Sequence, residues 1–292
     1  MEHVPALFIK SVLSLFKIPT VEPVKKLSSR SWSQLAADQM ARRKNWILRI
    51  DDSADQFMGY FMEAAENVFK YASFDEFGKK DRYLNQITGI WVGGYIDEED
   101  EEVLQKSTKI ASKQDAESLK RRFFPRINYA ALKSLWLGTM DSVRLDSTIL
   151  HHIVDNDANI EILRLSYEGP TSTELLEKHV QGNLLTHLAM YGEWPLESTV
   201  SLIEALVPQR QLREFHYFDS ISLSESFFTS LVADWEKADS PEDKEIVFWN
   251  LDTAMPLEVG VRRHPNSQAQ LKVDTDISNS KFFRLHFSAV PQ

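Results

Sequence analysis

The stretch "IEILRL", residues 160–165, has apolar side chains at its first, fourth and sixth positions. The same pattern begins at 132 ("LKSLWL"), 185 ("LTHLAM"), 212 ("LREFHY"), 246 ("IVFWNL") and 282 ("FFRLHF"), at intervals of 28, 25, 27, 34 and 36 residues. Apolar alternation over so few positions predicts strands. Between most of them stands one segment of helical spacing: "STILHHIVD", "STELLEKHV", "ESTVSLIEAL" and "SESFFTSLVADW". Each opens with a Ser/Thr and acid combination that reads as a capping signal.

One strand and one helix about every 25–30 residues matches the period of a leucine-rich-repeat array. A single α/β domain with parallel strands and crossover helices produces the same alternation. The regularity of the first four spacings favours the array, and "ITGIWV" at 87 fits the hexamer too. An array offers a wide surface made of outward strand positions. In "LKSLWL" these are Lys133, Ser134 and Trp136, and in "IEILRL" they are Glu161 and Arg164. Trp136 carries an indole suited to an interface.

Upstream the pattern differs. Pro5 suits a first helical turn, and Phe8, Val12, Leu13, Leu15 and Phe16 follow at roughly helical spacing. Prolines 19 and 23 end that helix and leave room for a short one over Val24 and Leu27. Ser31 reads as the N-cap of a third helix carrying Trp32, Leu35, Ala36 and Met40, with "RRK" in its last turn. "WILRI" (46–50) and "ITGIWVGG" (87–94) read as strands, and a helix is expected over Met62 to Tyr71. "DEEDEE", 97–102, reads as a solvated linker. The expected organisation is a helical unit over 1–44, an irregular strand-rich region over 45–130 and a repeat-like array over 131–292.

Composition limits the chemistry. The chain has 43 acidic and 33 basic residues and a formal charge of −10, which opposes nucleic-acid binding. With no cysteine, disulfides, thiolate zinc sites and thiol catalysis are excluded, and cytoplasm or nucleus is the expected location. "VPALFIKSVLSLF" is too short and too interrupted for a membrane span and lacks the marks of a signal peptide. The phosphate-binding glycine loops, "HExxH" and "GxSxG" do not occur. His151 and His152 are neighbours pointing about 100° apart on a helix, and read as one buried and one exposed side chain rather than metal ligands. "KRRFFPR", 120–126, reads as the end of an amphipathic helix. No cofactor or metal is expected.

Read whole, "VPALFIKSVLSLFKIPTVEPVKKLSSRSWSQLA" resembles an F-box. Val4 and Pro5 stand at the Leu-Pro pair of that motif and Val12 and Leu13 at its second apolar pair. Phe16, Val21 and Val24 follow, then Leu27 and Trp32. Together with "WILRI … IWVGG" and the leucine-rich strands, the chain resembles the large nematode-expanded F-box families. The resemblance implies a non-enzymatic adaptor of an SCF-type cullin ubiquitin ligase. Val4, Pro5, Phe8, Val12, Leu13, Phe16 and Trp32 would bind the Skp adaptor, and Lys133, Trp136, Glu161 and Arg164 would help hold a protein substrate. Two other readings stay open: an interaction scaffold whose N-terminal helices pack on its own array, and an enzyme with dispersed acid and base residues in a deep pocket.

Overall fold

Prolines cut the first forty residues into short helices in the computed structural model, which describes residues 4–53, 56–64, 69–95, 100–138, 145–253, 257–275 and 281–289. The chain divides into two units, Met1–Ile160 and Glu161–Gln292. Together they are mixed α/β, with thirteen strands and ten α-helices among the described residues. No helix there is long and apolar enough to cross a membrane.

The first unit starts with α1 (Ala6–Ser14), α2 (Ile18–Val21), a 3-10 turn (Glu22–Lys26) and α3 (Arg30–Arg42). Pro5 is the N-cap of α1, and Pro19 and Pro23 occupy first-turn positions where a missing N–H costs nothing. Ser29, not Ser31, precedes α3, and its side chain makes no capping hydrogen bond. Ile9, Leu13, Val21 and Ala36 form the core of these helices, with Val4, Val24, Trp32, Leu35 and Met40 packed around it.

Then follow β1 (Lys44–Ser53), β2 (Gln56–Glu63), β3 (Tyr71–Ala72), α4 (Phe74–Gly78), β4 (Asn85–Tyr95), α5 (Glu101–Lys106), β5 (Thr108–Ile110), α6 (Lys113–Phe123), β6 (Ser134–Leu137) and α7 (Leu145–Asp155). The sheet runs β6-β4-β1-β2-β3, with β5 also on β2. β4 is parallel to β1 and β6, and β2 is antiparallel to β1. The helix expected over 62–71 is a strand at both described ends, because Phe61 and Met62 pair with Ala72 and Tyr71. The aromatics there serve an aromatic core in which Phe61 stacks on Phe77 at 3.8 Å and meets Phe123 edge-on at 5.1 Å. Arg126 of "KRRFFPR" is buried, donates to the carbonyls of Phe77 (2.6 Å) and Lys80 (3.0 Å) and lies over the Phe77 ring. Residues 97–99 lie outside the described residues. Asp100 is no linker residue: its carboxylate accepts from the Val103 N–H and caps α5.

The second unit runs β7 (Ile162–Ser166), α8 (Pro170–Gln181), β8 (His187–Tyr191), α9 (Leu196–Leu206), β9 (Glu214–Ile221), α10 (Glu225–Lys237), β10 (Lys244–Leu251), β11 (Gly260–Arg263), β12 (Gln270–Thr275) and β13 (Phe283–Ser288). Strands β7 to β10 are parallel and adjacent in chain order, and β13, β12 and β11 continue the sheet antiparallel. Parallel strands stepping always in one direction need right-handed crossovers, which put α8, α9 and α10 on one face. Among the described residues the other face carries no helix.

Burial follows the hexamers closely at first. Leu132, Leu135 and Leu137 are buried, as are Ile160, Leu163 and Leu165, Leu185, Leu188 and Met190, and Leu212, Phe215 and Tyr217. The fifth departs from the expected register: Ile246 and Phe248 are buried while Trp249 is 43% exposed. The sixth belongs to β13, which runs antiparallel to β10. Only α10 among the helices of this unit uses its serine as expected, with Ser224 Oγ accepting from the Phe227 N–H. Helix α8 starts instead from Gly169 at φ 107°, a left-handed conformation that favours glycine, followed by Pro170.

Candidate interaction surfaces

Helix α1 has two apolar stripes and buries only one. Ile9 and Leu13, four residues apart, point into the helical core and are fully buried. Phe8, Val12 and Leu15 fall on a neighbouring face by the same spacing rule. Phe8 is 56% and Leu15 63% exposed, Leu7 beside them is 66% exposed, and Val12 is half-buried. Pro5 and Phe16 are also exposed. Of the residues expected to meet an adaptor, Pro5, Phe8, Val12 and Phe16 are thus accessible. Leu13 is interior, and Val4 and Trp32 pack half-buried on the core. The indole Nε1 of Trp32 is buried and has no hydrogen-bond partner, so the ring serves packing within these helices. Leu7 and Leu15 were absent from the expected set, although Leu15 stands at i+7 from Phe8.

Polar side chains seat α1 on the sheet of its own unit. Gln86 Nε2 and Asn128 Nδ2 both donate to the carbonyl of Ser14 at the end of α1, at 2.7 and 2.8 Å. Asn128 Nδ2 also donates to Gln86 Oε1 (2.9 Å), and Gln86 and Asn128 are buried. Arg43 Nη1 donates to the Phe16 carbonyl at 2.6 Å, and burial pushes its guanidinium down to about 10. The last carbonyl of α1, which the helix end leaves unpaired, is thereby satisfied.

In the first unit, Lys133 is exposed and Trp136 is half-buried beside Trp91, whose Nε1 donates to Ser134 Oγ at 2.9 Å. Ser134, expected to face outward, is buried by that contact. Arg49 lies over Trp91 and pairs with the buried Asp51 at 2.9 Å, and Tyr60 Oη donates to the other Asp51 oxygen. Desolvation, with Asp51 also opposing ionisation, raises the Tyr60 phenol and keeps it a donor.

In the second unit, Arg164 is exposed on the helix-free face and Glu161 is half-buried. That face is organised in rows across the strands. One row carries His187, Glu214, Glu245, His286 and Lys272, which stand opposite one another in turn. A parallel row holds Tyr191, Phe218 and Trp249, and Phe282 follows. Tyr191 stacks on Phe218 at 4.4 Å and 13°, Phe218 stacks on Trp249 at 5.4 Å and 14°, and Phe282 meets Trp249 edge-on. Tyr191 and Phe218 directly follow their hexamers, so the signal was an aromatic at the seventh position. Burial lowers the His216 imidazole, while Glu214 and Glu245 oppose that shift.

Two cavities stand out among the described residues. A polar one of about 280 Å³ in the first unit is bounded by Lys120, Ser147, Thr148, His151, His152 and Asp155. His152 is in close contact with Tyr129 Oη and its basicity is lowered by burial and by Lys120. His151 is exposed. Among the described residues no three His, Asp or Glu side chains are grouped to hold a metal ion. The other cavity, about 290 Å³ and mostly apolar, lies beside α10 in the second unit. No protein-family model matches the chain, and no curated protein matches its sequence.

Proposed function

We propose that the chain is a non-enzymatic recognition adaptor of an SCF-type cullin ubiquitin ligase. On this reading the N-terminal helices are an F-box-like unit that docks on the Skp adaptor, and the strand–helix succession from 131 onward is a leucine-rich-repeat-like array that holds a protein substrate. The observation that carries it is the second apolar stripe of α1: Phe8 and Leu15 stay exposed while Ile9 and Leu13 fill the core. An exposed apolar stripe on a short helix is the usual mark of a helix-in-groove partner. Support for the substrate side comes from the aromatic and charged rows on the helix-free face, where rings supply contact area and the charged row supplies specificity.

The seating of α1 through Gln86 and Asn128 favours a second reading, an interaction scaffold with no ligase partner. One experiment separates the two. Phe8→Ser with Leu15→Ser leaves the core untouched, so the protein is expected to keep its circular dichroism and lose co-purification with the Skp adaptor and cullin. Absence of adaptor binding by the unaltered protein at low salt supports the scaffold, and undiminished binding by the double variant removes the α1 stripe from the interface.

A further inference from the structure

The apolar cavity of the second unit is lined by Leu231, Trp235 and Phe287 together with Pro208, Pro241 and Glu242. Lys244 stands at its edge. Its Nζ donates to the carbonyls of Val207 and Gln209, each at 2.8 Å, just beyond the end of α9. This clamp satisfies two of the three N–H donors of an ammonium. Among the described residues no carboxylate lies within 4.0 Å of Nζ. Glu242, the acid nearest in effect, is ion-paired with Arg213. Burial lowers Lys244 to about 8, with Arg213 adding to the shift and Glu242 opposing it. Arg210, Asp234 and Lys237 are the other charged groups on the cavity wall. Lys244 is thus a half-buried cation whose hydrogen bonds go to neutral carbonyls, beside an apolar space and with no carboxylate in direct contact.

We propose that this cavity is a binding site for a small apolar monocarboxylate, whose hydrocarbon body lies on Leu231, Trp235 and Phe287 and whose carboxylate accepts the remaining proton of Lys244. The size is suitable: a cavity of about 150 Å³ holds benzene, so 290 Å³ takes a substituted ring or a chain of roughly eight carbons. The chemistry also selects against the alternatives. A neutral alcohol leaves the cation uncompensated, and an amine repels it. A helix-end clamp alone accounts for two protons of Lys244, but not for the adjoining apolar space or the third proton.

The test is a calorimetric titration of the full chain with octanoate, octanol and octylamine. Octanoate is expected to bind at least tenfold more tightly than either control at pH 7, and to lose that advantage by pH 9.5 as Lys244 gives up its proton. Ala238→Trp, which fills the cavity without altering Lys244, is expected to abolish binding, and Lys244→Met to make octanoate and octanol equivalent. Equal affinities for octanoate and octanol in the unaltered protein, an octanoate preference unchanged at pH 9.5, or undiminished binding by Ala238→Trp would overturn the proposal. The pH series and the Ala238 variant decide the matter even if Lys244→Met releases α9 and unfolds the unit.

Discussion

Leu13→Ala is the perturbation that separates the two faces of α1. Leu13 is fully buried against Ile9, Val21 and Ala36. Truncation removes about three carbons, worth about 0.8 kcal/mol each in lost burial. The walls of the resulting void come from three different helices, so collapse is restricted and a cavity term adds to the transfer term, for a total of about 3–4 kcal/mol. Phe8→Ala, on an exposed side chain of the same helix, is expected to change stability by less than about 1 kcal/mol. Urea denaturation followed by tryptophan fluorescence reads both, since Trp32 and Trp46 lie in this unit. A Leu13→Ala cost below about 1 kcal/mol, or a larger cost for Phe8→Ala, would refute the assignment of inward and outward stripes. The same pair bears on adaptor docking: loss of binding in Leu13→Ala should track unfolding, whereas loss in the Phe8 and Leu15 serine variant should not.

Asn128→Ala strips the Ser14 carbonyl and Gln86 Oε1 of a buried donor; a destabilisation of about 1–3 kcal/mol is expected, with faster amide hydrogen exchange in α1. Gly59→Ala would set a methyl 2.4 Å from the Phe74 ring and 3.0 Å from Ile110 Cδ1, and thermal unfolding should show a loss of about 1–3 kcal/mol from overpacking. His216 is held below its ordinary value of 6.5 by burial, so the unfolded chain binds the proton more readily there. Its contribution is intact above pH 6.5 and is lost as pH falls from there through the lower folded value. Denaturant midpoints across that window should flatten in His216→Gln, and an unaltered slope would show that His216 does not titrate with folding.

Much of the second unit was legible because its strands are buried on the helix side at a fixed offset. Positions one, four and six of the hexamers from 160, 185 and 212 mark interior side chains without exception. The offset failed at β10 because both faces there carry large apolar residues: Ile246 and Phe248 face the helices, and Trp249 joins Phe218 on the opposite side. Apolar content alone does not tell core from surface where a sheet exposes an aromatic row. Capping signals misled for a related reason. Ser172 and Thr199 lie inside α8 and α9, where Ser172 Oγ accepts from the Glu168 N–H and Thr199 Oγ1 donates to the Pro195 carbonyl.

The N-terminal site was legible in its elements and less so in its faces. Proline punctuation located the helix breaks, but Leu13 and Phe8 are equally apolar, and only the packing of α3 and Val21 decides which is interior. Trp32 illustrates the limit: the F-box resemblance put it among the adaptor-binding residues, while its unpaired indole nitrogen lies within its own helical core. The Lys244 clamp was invisible in sequence because it joins a lysine to carbonyls more than thirty residues upstream.

The bond between Asn128 and Ser14 spans 114 residues, and this separation sets a timetable for the nascent chain. Helix α1 is synthesised well before the Asn128 amide that anchors its end. At about 5–20 residues per second the interval is on the order of ten seconds. Throughout it the apolar N-terminal helices lack that clasp, so the newborn protein most needs a chaperone at these helices until Asn128 has been made.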